Sequence, residues 1–292
     1  MLKGSIVALV TPMTANGDVD WAALEALVEW HVASGTHGIV PMGTTGESAT
    51  LDTDEHLQVI KRTIDVVAGR IPVVAGTGSN ATSEAIHQTQ EAQAAGADAC
   101  LLVTPYYNKP TQAGLIAHYH AIADATDVPL VLYNVPPRTA CDMQADTVAE
   151  LARHEQIIGI KEACGDATRV ADIRAQVADD FIILSGEDAQ TLQMLELGAV
   201  GTITVTANVL PAMMSEFCEA YLSGDVARAQ ALDGQLQPIH EVLFCEPSPT
   251  PSKWALHAMG KIDSGIRLPL LPLTEANQGV VRERLIEIGA LS

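Results

Sequence analysis

The chain has 292 residues, of which 48% are hydrophobic, 18% charged and only 4% aromatic. A chain of this length buries roughly three quarters of its unfolded surface, so one large core needs no disulfide or metal, and the composition excludes a disordered, collagenous or coiled-coil protein. Lys and Arg number 16 against 36 Asp and Glu, a formal charge of −20, which makes nucleic acid and anionic membrane poor partners but leaves room for one local cation in a pocket.

The first apolar run, inside residues 1–12, is too short for a signal segment or a membrane span. Five cysteines, at 100, 141, 164, 218 and 245, form no CxxC pair and lie among small or apolar residues. Together these features predict a cytoplasmic protein whose cysteines are reduced core thiols.

Eight short runs rich in Val and Ile fall at 5–10, 38–42, 73–76, 100–104, 130–133, 157–161, 182–185 and 201–205. They are apolar along their length, as parallel strands buried on both faces should be. Helical patterns separate them: 21–33 behind the capping candidates Asp18 and Asp20, 54–68 ending at Gly69, 81–95 ending at Gly96, then 113–125, 145–153, 168–177, 188–197 and 208–222. This alternation predicts an α/β fold, a (β/α)8 TIM barrel over residues 1–224. Beyond Gly224 the pattern is helical only, broken by the Pro-rich stretch 246–251, which predicts a small C-terminal helical domain over 225–292.

Active sites of such barrels lie at the C-terminal ends of the strands. There the chain reads Gly43-Thr44-Thr45-Gly46-Glu47-Ser48, Thr104-Pro105-Tyr106-Tyr107-Asn108, Tyr133-Asn134-Val135-Pro136-Pro137-Arg138-Thr139, Gly159-Ile160-Lys161-Glu162 and Ser185-Gly186-Glu187-Asp188. Lys161 closes an apolar strand. An amine in apolar surroundings loses proton affinity, and a neutral amine attacks a ketone or aldehyde to form a Schiff base. Tyr133 and Tyr107 are phenols that Thr44 could link into a proton-passing chain. Arg138 can hold a carboxylate bidentately, and the free amides and hydroxyls of residues 43–46 suit a small anion. A plainer reading stands beside each: Lys161 reaching solvent or pairing with Glu162, tyrosines that rim the barrel, a surface arginine, a simple turn.

Two other patterns carry less. Gly76-Thr77-Gly78-Ser79-Asn80-Ala81, with Asp98 downstream, fits the dinucleotide fingerprint, but it falls in the third βα unit of an eight-strand series and uses the permissive Ala. His118 and His120 are two apart on a helix and face different ways, and no HExxH motif, Cys/His cluster, GxSxG elbow or phosphate-binding P-loop occurs, so no metal site is expected.

In their order and spacing these segments, with Gly4-Ser5-Ile6-Val7-Ala8-Leu9-Val10-Thr11-Pro12, resemble the pyruvate-dependent class I aldolases. Within them the chain resembles the dihydrodipicolinate synthase family nearly end to end. The resemblance implies that Lys161 forms an imine with pyruvate and that its enamine attacks L-aspartate 4-semialdehyde. Ring closure by the substrate's amine would then release a cyclic product on the route to diaminopimelate and lysine. No cofactor is implied beyond that covalent imine.

Tyr133, Thr44 and Tyr107 resemble the family's proton relay, with Tyr107 supplied by a neighbouring subunit in a homo-oligomer, typically a tetramer built from two dimers. Thr45 resembles the ligand of the pyruvate carboxylate, Gly186 and Ile203 resemble positions lining its pocket, and Arg138 resembles the residue that holds the semialdehyde carboxylate. Sialic acid and sugar-acid lyases share the lysine and tyrosine without that arginine; a sugar-acid lyase is the alternative. A barrel that only senses a metabolite is the other. Some members bind L-lysine as an inhibitor, at positions matched here by Ser48, Ala49, His56, Gly78, Asn80, Glu84 and Tyr106. Thr53 departs from the histidine that lysine-sensitive members often carry.

Overall fold

The computed structural model describes residues 2–291. Eight strands alternate with helices: β1 (Gly4–Ala8), β2 (Gly38–Val40), β3 (Val74–Gly76), β4 (Ala99–Val103), β5 (Leu130–Asn134), β6 (Ile157–Glu162), β7 (Ile182–Ser185) and β8 (Gly201–Thr204). They pair in parallel in the order β2-β1-β8-β7-β6-β5-β4-β3, and a parallel bridge from Ile39 to Val73 joins the two ends into a closed barrel. Alternation along each strand sets the layers. Ile6, Ala8, Val40, Val74, Leu101, Val131, Leu184 and Ile203 fill the barrel interior. Their neighbours, such as Val7, Ile39, Leu102, Leu132 and Ile183, pack outward against the helices.

The barrel helices are α1 (Trp21–Ala33), α2 (Thr53–Val67), α3 (Thr82–Ala95), α4 (Gln112–Ala123), α5 (Pro136–Thr139), α6 (Ala145–Leu151), α7 (Arg169–Arg174), α8 (Thr191–Glu196) and α9 (Pro211–Leu222). Of the two candidate caps before α1, Asp20 does the capping, accepting from the Ala23 amide at 3.0 Å. Three expected helices are shorter than the pattern suggests. Residues 188–190 form a 3-10 turn ahead of α8 because the Asp188 carboxylate turns to accept from the amides of Val205 and Thr206 at 3.1 and 2.7 Å. Residues 206–208 form another, and Pro211 then starts α9 with its fixed φ. Helix α7 covers only 169–174 of the expected 168–177.

After the barrel come α10 (Val226–Val242), α11 (Thr250–Ala258) and α12 (Glu275–Glu287). They share the barrel's outer core through Ala229, Leu232, Leu236 and Leu256, and build a smaller cluster of their own around Ile239, Leu243, Ala255, Val281 and Leu285. Polar links fasten them to the barrel mouth. The buried carboxylate of Glu47 pairs with Lys253 and accepts from the Arg267 amide at 3.1 Å. The Arg267 guanidinium grips Glu55 through two bonds of 2.6 and 2.7 Å.

The cysteines correct one expectation. Cys100, Cys141 and Cys218 are buried, but Cys164 is half-buried and Cys245 exposed. No helix of the described residues is long and apolar enough to cross a membrane.

Candidate active site

Lys161 lies near the end of β6, with its side chain turned into the barrel and only 6% exposed. The β5–β6 register sets it directly beside Tyr133, and its Nζ lies 4.3 Å from the centroid of the phenol ring. On the other flank, just past the end of the adjacent strand β7, is Gly186, where a Cβ would come within 2.9 Å of Lys161 Cε and 2.7 Å of Ala163 Cβ, so a bare backbone leaves the lysine stem its room. The cavity around the amine is small, about 60 Å³, with Ala8, Val40, Leu101 and Ile203 as apolar walls and Thr44, Thr45 and Arg138 at its rim. Among the described residues Lys161 enters no ion pair.

The plainer reading of Lys161 as a partner of Glu162 fails on strand alternation. Glu162 points to the other face of β6, where its two oxygens accept from Asn134 Nδ2 at 3.0 and 3.2 Å and from the Cys164 amide at 2.9 Å. Burial pushes the Glu162 carboxyl up to about 7, against the opposing pull of Cys164, Arg169 and Asn134. Tyr133, 7% exposed, is part of the wall rather than a rim residue.

Thr44 and Thr45 sit in a 3-10 turn, Thr44–Gly46, that ends at Glu47 in the left-handed region with φ 59°. The ion pair of Glu47 with Lys253 and the bond from Thr11 Oγ1 to Gly46 O at 2.6 Å hold this turn over the cavity. Arg138 sits in the one-turn helix α5 just beyond β5; it is exposed and unpaired among the described residues, and it lines the cavity.

The chain thus brings together Lys161, Tyr133, Thr44, Thr45, Arg138, Gly186 and Ile203. It does not bring Tyr107, which stands 90% exposed in a left-handed conformation, φ 72°, away from the amine's cavity. Sequence reasoning set Glu187 in a mouth segment without giving it a role and missed Phe244 and Ser248; all three help complete the wall. Phe244 and Ser248 come from the C-terminal helical region, where only the Pro-rich run 246–251, which contains Ser248, marks the stretch as irregular.

A second cavity, of about 400 Å³, shares Thr44, Val135 and Arg138 with the first. It is lined by six of the seven expected effector positions, Ser48, Ala49, His56, Gly78, Glu84 and Tyr106, and by Thr53. Asn80 stands behind, donating to the Tyr106 carbonyl at 3.2 Å. His56 Nε2 donates to the Gly76 carbonyl at 2.7 Å, and burial lowers its affinity for a second proton against the opposing pull of Gly76 and Glu84. Ser79 Oγ donates to Glu84 at 2.5 Å.

The loop 76–81 is no nucleotide cradle. A Cβ at Gly78 would meet Val103 N at 2.4 Å, so that glycine serves close packing on β4. Asp98, the acid that would hold a ribose, accepts from the Val73 amide at 2.8 Å on the strand-start side. Among the described residues no group of three or more His, Cys, Asp or Glu could hold a metal ion.

Fold and pocket together define a TIM-barrel enzyme built around a buried amine. A family model described as the dihydrodipicolinate synthetase family matches residues 1–288. The 4-hydroxy-tetrahydrodipicolinate synthase of Pseudomonas savastanoi pv. phaseolicola is 55% identical over 291 residues, covering 100% of both chains. The crystal structure of the chloride-inhibited dihydrodipicolinate synthase of Acinetobacter baumannii, complexed with pyruvate, superposes with a TM-score of 0.98 at 50% identity over 100% of both chains. That of the Cyanidioschyzon merolae enzyme with lysine bound gives a TM-score of 0.96 at 37% identity over 99% of both chains. The chain belongs to the dihydrodipicolinate synthetase family.

Proposed function

We propose that the chain condenses pyruvate with L-aspartate 4-semialdehyde to give 4-hydroxy-tetrahydrodipicolinate, the first committed step toward diaminopimelate and lysine. The observation that carries the mechanism is the buried amine of Lys161, free of any ion pair among the described residues and set beside the Tyr133 phenol. The amine attacks C2 of pyruvate and water leaves, giving an imine. Loss of a methyl proton gives an enamine, whose carbon bonds to the aldehyde carbon of the second substrate. The imine is the electron sink, so the reading calls for no metal or organic cofactor. Thr45 and the neighbouring amides receive the pyruvate carboxylate, Tyr133 and Thr44 pass protons, and Arg138 holds the carboxylate of the aldehyde.

Arg138 also favours this acceptor over a sugar acid, whose hydroxyls would leave a fixed guanidinium unmatched. The exposed, strained Tyr107 fits delivery into a neighbouring subunit's site, in a homo-oligomer of dimers within the cytoplasm. The second cavity suits L-lysine as an inhibitor, with Glu84 facing its ammonium. Glu84→Gln should therefore weaken lysine inhibition by roughly tenfold or more, with turnover little changed.

Borohydride reduction with pyruvate tests the central step. A reduced adduct on the Lys161 peptide supports the reading, and an adduct on another lysine, or none, overturns it.

A further inference from the structure

Glu187 lies between two spaces. It lines the cavity of Lys161 and also an outer cleft of about 610 Å³, where Gln237, His240, Glu241 and Phe244 complete the walls. It is the one acid among the described residues that line the amine's cavity. Its backbone is clamped, with the amide donating to Ser185 Oγ at 3.2 Å and the carbonyl accepting from Ser185 Oγ at 3.0 Å and Thr191 Oγ1 at 3.1 Å. Its carboxylate, by contrast, has no hydrogen-bond or ion-pair partner among the described residues, whereas the adjacent Asp188 carboxylate is committed to the amides of Val205 and Thr206. A half-buried carboxylate on a fixed backbone, with its oxygens unmatched, can take a cationic group of a ligand.

The acceptor supplies one, on the function proposed above, which this inference extends. L-Aspartate 4-semialdehyde is a zwitterion. Arg138 meets its carboxylate, but its ammonium then enters a confined cavity lined by the Arg138 guanidinium and the pyruvate adduct on Lys161, and where water is scarce it needs an anion of its own. We infer that Glu187 binds the α-ammonium of the acceptor aldehyde and then takes its proton to start ring closure.

The step balances. One N–H proton passes from the ammonium to the Glu187 carboxylate, leaving a neutral amine with a lone pair. That nitrogen bonds to C2 of the protonated imine. A proton then moves from the new ring nitrogen to Lys161 Nζ, the C2–Nζ bond breaks, and Lys161 leaves as the free amine. The ring keeps a protonated C2=N bond, which loses its N–H proton to water, and Glu187 gives the proton it took to water through the outer cleft. Burial and the nearby Asp188 raise the Glu187 carboxyl above its usual range, against the pull of Lys161 and Arg138, which suits a proton acceptor.

The test uses the whole enzyme and three readouts: borohydride trapping of pyruvate on Lys161, the KM for L-aspartate 4-semialdehyde, and inhibition by 4-oxobutanoate, the same aldehyde without its amino group. Glu187→Gln should trap pyruvate like the unaltered enzyme and be inhibited by 4-oxobutanoate within about twofold of it. Its KM for the amino aldehyde should rise roughly tenfold or more, as loss of a charge-assisted contact implies, and kcat should fall as well. Glu187→Asp should restore part of both. An unchanged KM, equal weakening toward both aldehydes, or loss of trapping in Glu187→Gln alone would each overturn the assignment. Failure of the unaltered enzyme to trap pyruvate would instead bring down the function it rests on.

Discussion

Lys161 and Tyr133 are direct partners across the β5–β6 register, and the amine sits 4.3 Å from the centre of the phenol ring. The strand pairing itself fixes this contact, so neither side chain depends on a loop for its position. Preorganisation of this kind matters because a nucleophile and a proton carrier act only within a narrow geometry.

Two substitutions separate the roles. Lys161→Met should abolish the borohydride-trapped pyruvate adduct and lower kcat/KM by about a thousandfold or more. Its Tm should stay level or rise, since a buried amine without a counter-ion gives way to an apolar chain of similar length. Tyr133→Phe keeps the ring and removes the hydroxyl. It should still trap pyruvate, more slowly, with kcat reduced by roughly a hundredfold to ten-thousandfold. A Tm scan beside the trapping assay checks both, and a large drop in Tm for Lys161→Met would contradict the reading of that amine as functional rather than structural.

A second prediction concerns the buried pair of Glu47 and Lys253. Burial lowers the proton affinity of the Lys253 amine, and Glu47 opposes that shift. Lys253→Met leaves the Glu47 carboxylate buried without its ammonium, which should cost about 3–5 kcal/mol in urea unfolding. The double variant Glu47→Gln, Lys253→Met should recover most of the loss, because no buried charge is then stranded. Catalysis should fall in the single variant as well, since Glu47 ends the turn that carries Thr44 and Thr45.

These two pairs differ in how far the sequence exposes them. Strand runs bounded by Gly, Pro and Asn reveal the barrel, and the residues at the strand ends reveal Lys161, Tyr133, Thr44 and Arg138, because strand position alone sends a side chain to the mouth. The partnership of Glu47 with Lys253 spans 206 positions and leaves no local trace. Phe244 and Ser248 reach the cavity for the same nonlocal reason, and the sequence shows only a proline-rich interruption there. Glu187 was visible as part of a mouth segment, but its free carboxylate and the engaged one of Asp188 become distinct only when β8 supplies the amides of Val205 and Thr206. The start of α8 departs from its helical pattern because that pattern carries no mark of the Asp188 carboxylate turning away to the amides that follow β8.

Glu162 predicts a pH dependence. Its folded carboxyl is pushed up to about 7 from an ordinary value of 4.5, with burial as the main cause. Between those values the folded chain binds more protons than the unfolded one, so this group's contribution to stability falls as pH rises through the window. Glu162→Gln removes the titration. Relative to the unaltered chain, the variant should gain stability as pH goes from about 4 to 8, by on the order of 3 kcal/mol. Urea midpoints for both chains at several pH values measure this, and a difference that is flat or opposite in slope would remove the raised carboxyl from the account. The comparison has to be between chains, because the other acidic residues titrate in the same range with the usual opposite sign.

Tyr107 tests the assembly. Its 90% exposure and positive φ make sense if a neighbouring subunit supplies the surroundings that offset the strain. Lys161→Ala and Tyr107→Phe chains should each be nearly inactive alone. When they are mixed and reassembled, random pairing puts half of the dimers in the mixed form, and each of these holds one site with both Lys161 and Tyr107 intact. Activity should therefore return to about a quarter of that of the unaltered enzyme. If Tyr107 instead served the site of its own chain, no arrangement of the two variants would restore a complete site, and the mixture would stay as inactive as its parts.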